Sequence, residues 1–165
     1  MSYDRIEDRR ESEPERHDRQ LGELLQELRV VIPGTQVLFA FLLTVPFTAR
    51  FGETTDLQRD VYFATLLCTA VATALFLAPS AVHRLRFKRG DKRYIVAVAN
   101  VLTIIGLAVL MLAVTGAIFV VSDVMFDATV AAIAAGAVFV LMAGLWYAFP
   151  LTRRLTHDRR RGEKG

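Results

Sequence analysis

IVAVANVLTIIGLAVLMLAVTGAIFVV, Ile95 to Val121, runs for 27 residues without one Asp, Glu, Lys, Arg or His. About 20 apolar residues suffice for a helix to cross a ~30 Å hydrocarbon layer at 1.5 Å rise per residue. A water-exposed helix of this length would carry a polar face, and this stretch has none. Three further stretches are equally free of charge: Val30 to Ala49, Val61 to Pro79 and Ala128 to Phe149. At 53% hydrophobic residues, a 165-residue chain is too apolar for a soluble domain, whose surface is a large share of the whole. The expected fold is all-α, a four-transmembrane-helix bundle with spans at about 30–49, 61–79, 95–121 and 128–149.

The basic residues orient it. Arg84, Arg86, Lys88, Arg89, Lys92 and Arg93 crowd the connection between the second and third spans, against Asp91 alone. Arg153, Arg154, Arg159, Arg160, Arg161 and Lys164 follow the fourth span. Arg5, Arg9, Arg10, Arg16, Arg19 and Arg29 precede the first, in company with nine acids. The other two connections are poor in bases: one has only Arg50 and Arg59, with Glu53, Asp56 and Asp60, and the other has Asp123 and Asp127 and no base. Positive residues stay cytoplasmic, so both termini and the middle loop are expected inside, in a multi-pass protein of the inner (plasma) membrane. The basic loop, with His83, is expected to face anionic lipid headgroups. Tyr94, Trp146 and Tyr147 stand where interface aromatics belong. Asp127 is placed to cap the fourth helix.

Ahead of the first span, residues 1–18 are charged throughout, lack the apolar core of a signal peptide and are expected to be disordered. The membrane domain then covers 19–150 and a basic cytoplasmic tail 151–165. Leu21, Leu24, Leu25 and Leu28 recur at helical spacing, which predicts a short amphipathic helix leading into the first span. Pro33 and Gly34 follow. Proline suits the first turn of a helix and disrupts its middle, so the pair reads as an elbow between an in-plane helix and a crossing one; the alternative is a kink in one continuous helix.

Within the spans, Gln36 and Asn100 are amides at similar predicted depth, each roughly 8 Å in, and such groups seek partners across helices. Thr44 and Thr103 are further intramembrane polar candidates. Small residues recur every four positions as Ala64, Cys68 and Ala72, as Thr65, Thr69 and Thr73, and as Ala132, Gly136, Val140 and Gly144. Such rows let helices approach closely, within one chain or between copies in a homo-oligomer.

The run ELLQELRVVIPGTQVLFAFLLTVPF, Glu23 to Phe47, with Pro79, His83, Arg84 and KRYIVAVAN, Lys92 to Asn100, resembles an uncharacterised bacterial family of four-helix membrane proteins, a domain of unknown function. The resemblance covers Gln20 to about Phe149. Members often carry the automatic label sodium:proton antiporter; what the resemblance implies is a membrane protein without an established activity.

The residues bear on that label. Proton-coupled exchange ordinarily needs a carboxylate or histidine inside the membrane, and the four stretches contain none. Alone in a bilayer the chain is therefore expected not to exchange sodium for protons. GxSxG, HExxH and phosphate-binding glycine loops are absent, Cys68 is the one thiol, and the basic segments lack interleaved aromatics. No enzymatic activity, cofactor, metal or nucleic-acid partner is expected. The reading is a structural or accessory membrane component interacting with lipid or protein, with a small oligomeric ion or solute transporter or channel as the alternative.

Overall fold

Buried residues recur at alternating steps of three and four along the second helix, and at steps of seven along the first, in a computed structural model that describes residues 13–86 and 92–148. The helices are α1 (Glu13–Thr44), α2 (Asp56–Arg86), α3 (Lys92–Met125) and α4 (Ala128–Ala143), and a π turn, Gly144–Ala148, closes the described chain. Two 3-10 turns, Val45–Phe47 and Ala49–Glu53, join α1 to α2. Four segments are long and apolar enough to cross a membrane: Gly22–Phe47, Asp56–Ala81, Val96–Met125 and Ala128–Ala148. The four-helix architecture read from the apolar stretches is thus the architecture observed.

On α2 the inward stripe is Tyr62, Thr65, Thr69, Ala72, Phe76 and Pro79. On α3 it includes Ala99, Gly106, Leu110 and Ala113, and on α1 Leu28, Thr35 and Leu42. A mean step of 3.5 keeps one face of a helix against its neighbours, as in left-handed bundles. Because lipid is as apolar as a leucine side chain, what holds such helices together is close van der Waals fit rather than exclusion of water. The tightest fit is between α2 and α3. A Cβ on Gly106 would stand 2.6 Å from Cε1 of Phe76, and one on Gly116 would fall on the Thr65 hydroxyl. A side chain at either position would force Phe76 or Thr65 to shift.

α3 is the hub. It packs on α1, α2 and α4, while α4 packs on α3 without reaching the bodies of α1 or α2. This decides the use of the small-residue rows. Thr65, Thr69 and Ala72 turn inward, whereas Ala132, Gly136 and Val140 are exposed, and α4 lays Ala131 and Ala135 inward instead. A strict four-residue row drifts around a helix by about 40° per step, so it departs from a 3.5-residue packing stripe.

The elbow is the main correction. α1 is one helix from Glu13 to Thr44 with Pro33 inside it, and Gly34 is helical. Pro33 cannot donate to the Arg29 carbonyl. The helix nevertheless continues because its buried anchors straddle the proline: Leu28, 1% exposed, and Thr35, 2% exposed, lie one heptad apart on a single stripe. The Thr35 hydroxyl also donates to the Val31 carbonyl at 3.0 Å, bracing that turn. Consequently the leucine segment forms the first turns of α1 itself. Leu24 and Leu25 pack against Ala99, and Leu28 clusters with Ala72, Phe76 and Leu110. Residues 13–18, expected to be disordered, belong to α1. The remainder of the N-terminal segment and the basic tail lie outside the described residues.

Candidate functional site

Two polar recesses lie at opposite ends of the helices. At the end away from the chain termini, Thr55 and Gln58 form a reciprocal capping box at the start of α2. The Thr55 N–H donates to Gln58 Oε1 at 3.0 Å, and the Gln58 N–H donates to Thr55 Oγ1 at 3.2 Å. Gln58 Nε2 then donates to Asp123 Oδ2 at 2.9 Å, tying α2 to the last turn of α3. Asp123, placed by the sequence reading in a connection, is therefore part of a helix, and the turn into α4 is only Phe126 and Asp127. Asp127 caps α4 as expected, accepting from the N–H groups of Thr129 at 2.8 Å and Val130 at 3.0 Å. Glu53, Thr54, Gln58, Asp123 and Val124 enclose a recess of about 310 Å³.

Beneath it, Phe41, Leu42, Tyr62, Ala117 and Val121 help to wall an apolar crevice of about 190 Å³. Tyr62 shapes this crevice. Its ring meets Phe51 edge-on, with centroids 5.3 Å apart, and its hydroxyl donates to the Leu42 carbonyl at 2.6 Å. The sequence reading singles out neither Gln58 nor Tyr62. The T-x-x-Q pattern of Thr55 to Gln58 is a capping-box signature that marks the first; nothing local marks the second.

At the opposite end, Gln20, Glu23, Glu27 and Asn100 line a groove of about 450 Å³ between α1 and α3. Glu23 is engaged by Arg19 at 2.9 Å on the exposed side of the helix. Asn100 thus sits level with the leading turns of α1. Gln36 is exposed on α1, nine residues and roughly 14 Å beyond Glu27 along the axis. The structure does not bring the two amides together, because α1 enters the bundle at Leu24 rather than at Val30, and equal distances from the two apolar boundaries do not mean equal depth.

Thr44 and Thr103 do not converge on a shared path within the chain either. Their hydroxyls donate to the carbonyls of Phe41 at 2.7 Å and Ala99 at 2.9 Å, each in its own helix. Trp146 and Tyr147 turn toward the bundle: Trp146 packs on the cluster around Leu28 and Phe76, and the Tyr147 hydroxyl donates to the Ile104 carbonyl at 3.0 Å. A π turn adds a residue to the helical turn and re-aims the side chains that follow. His83, Arg84 and Arg86 fall in the last turns of α2, and Lys92 and Arg93 in the first of α3, while Lys88 and Arg89 lie outside the described residues. Among the described residues, no three His, Cys, Asp or Glu side chains gather as a metal site.

A model of a family of unknown function, DUF6328, matches residues 10–150, covering every described helix. The chain belongs to that family. No curated protein and no solved structure matches it. Family membership accords with the resemblance carried by Glu23 to Phe47 and by Lys92 to Asn100, and it brings no assigned activity.

Proposed function

We propose that this chain is a multi-pass component of the inner (plasma) membrane, with both termini cytoplasmic, that acts by contact with lipid and partner protein rather than by catalysis. The observation that carries this reading is the state of the buried polar side chains. Thr35, Thr65 and Thr69 are buried, and their hydroxyls donate to the carbonyls of Val31, Val61 and Thr65, four residues back in the same helix, while among the described residues the buried hydroxyl of Thr115 has no partner. With their protons turned back onto their own helices, the hydroxyls of Thr35, Thr65 and Thr69 make no bond from one helix to another, and the helices close on one another by packing. Outward, large apolar side chains face the surroundings, among them Val37, Val71, Ile133 and Val140. The excess of Lys and Arg in residues 80–94 and 151–165 supports the orientation and an affinity for anionic headgroups.

A reporter fused after Lys164 is expected to be active only in the cytoplasm and one inserted near Asp56 only outside; the reverse pattern refutes the orientation. A transporter assembled from several copies is the second reading, favoured by the groove that sets Glu23 and Glu27 beside Asn100. Purified protein in liposomes, given a sodium gradient with a pH dye inside, separates the two. Silence under all imposed gradients is expected. Sodium-dependent proton movement lost in Glu27→Gln or Asp60→Asn supports the transporter instead.

A further inference from the structure

The apolar crevice and the acidic recess above it adjoin at Val124, which lines both. Tyr62 and Thr65 also border the crevice, but their hydroxyls are turned to the carbonyls of Leu42 and Val61, so the space presents hydrocarbon. At about 190 Å³ it falls below the ~300–1,000 Å³ of sites for drug-sized molecules, a size for one alkyl chain and not for paired acyl chains. The recess is of opposite character. It contains the carboxylates of Glu53 and Asp123, and no Lys or Arg lines it among the described residues. Arg59, next to Gln58 in the chain, is held at the rim by the Thr54 carbonyl at 3.3 Å and by Asp56 at 3.7 Å. A small apolar crevice that shares a wall with a recess holding two carboxylates is complementary to a molecule with an apolar chain and a cationic head.

We propose that this composite site binds a single-chain amphiphile with a cationic head, an alkylammonium, its chain in the crevice and its ammonium in the carboxylate recess. The inference uses the four-span architecture and no part of the accessory role proposed above. Gln58 takes one oxygen of Asp123, which fixes the carboxylate in place at the recess and leaves its second oxygen for the ligand.

The test is equilibrium binding of radiolabelled decyltrimethylammonium to the full chain in phosphatidylcholine nanodiscs, with empty nanodiscs subtracted and decanol as the neutral competitor. Saturable binding of the cation is expected, with decanol a poor competitor. The double variant Glu53→Gln, Asp123→Asn is expected to weaken binding at least roughly tenfold, a factor equal to about 1.4 kcal/mol. Asparagine at 123 keeps an oxygen to accept from Gln58, so the unfolding midpoint should hold; should it fall, Glu53→Gln alone, which breaks no hydrogen bond, makes the same comparison. Val121→Trp, at a half-exposed wall of the crevice, is expected to abolish saturable uptake. Equal binding of decanol and the cation, or affinity unchanged by loss of the carboxylates, overturns the proposal.

Discussion

The hydroxyl of Tyr62 donates to the carbonyl of Leu42 at 2.6 Å, and Leu42 is the residue whose usual helical donor, four positions on, is the nitrogen of Pro46. Proline has no N–H, so α1 ends with a carbonyl that its own backbone cannot satisfy. Tyr62 supplies the missing donor from α2, in a place where Leu42 and Tyr62 are 4% and 5% exposed and water is scarce.

Tyr62→Phe should therefore destabilise the protein by about 1–3 kcal/mol, the range for leaving a buried acceptor unpaired. Pro46→Ala restores an N–H that can reach Leu42. In that background Tyr62→Phe should cost clearly less, measured by unfolding in detergent micelles. Equal losses in the two backgrounds would show that the tyrosine serves only as a packing ring.

The glycines separate into two kinds. Gly106→Ala and Gly116→Ala should each cost about 1–3 kcal/mol, because the added methyl meets Phe76 or Thr65 and the α2–α3 seam must part. Gly136→Ala meets nothing within 4 Å and should be neutral or stabilising by up to ~1 kcal/mol through helix propensity. Unfolding midpoints of the three variants check the contrast, and similar losses at all three positions would deny the seam its special role.

Gln58 holds both the start of α2 and the end of α3, so Gln58→Ala should be more damaging than Asp123→Ala. The first loses half of the capping box as well as the hydrogen bond, at about 1–2 kcal/mol together, and the second loses only the hydrogen bond. Hydrogen exchange at Thr55, whose N–H donates to Gln58 Oε1, should rise in Gln58→Ala and stay low in Asp123→Ala.

Gln36 and Asn100 are apart in the structure, so Gln36→Leu and Asn100→Leu should combine additively to within ~0.5 kcal/mol. A coupling above that in a double-mutant cycle would place the two amides in contact, within the chain or across copies.

Legibility in the sequence followed the range of the interaction. The third span and the cap at Asp127 each depend on residues a few positions apart, and both stand in the structure, the span running on past Val121 to Met125. The Gln58 bridge was half legible: Thr55 and Gln58 carry a capping pattern, but Asp123 lies 65 residues away. Pro33 misled because a position rule for proline weighs only its own turn. It leaves out the burial of Leu28 and Thr35 on either side, which keeps α1 in one piece.

By itself the sequence determined that four helices are long and apolar enough to cross a membrane and where the last of them begins, since hydrocarbon length and capping are properties of contiguous residues. Only the tertiary structure decided that α3 is the hub, that Thr65 and Thr69 face inward while Gly136 faces out, that Asn100 meets the leading turns of α1, and that Tyr62 answers for Pro46. Those choices rest on many small contacts summed between helices distant in sequence. In lipid no hydrophobic difference marks the inner face, so shape alone selects which residues meet.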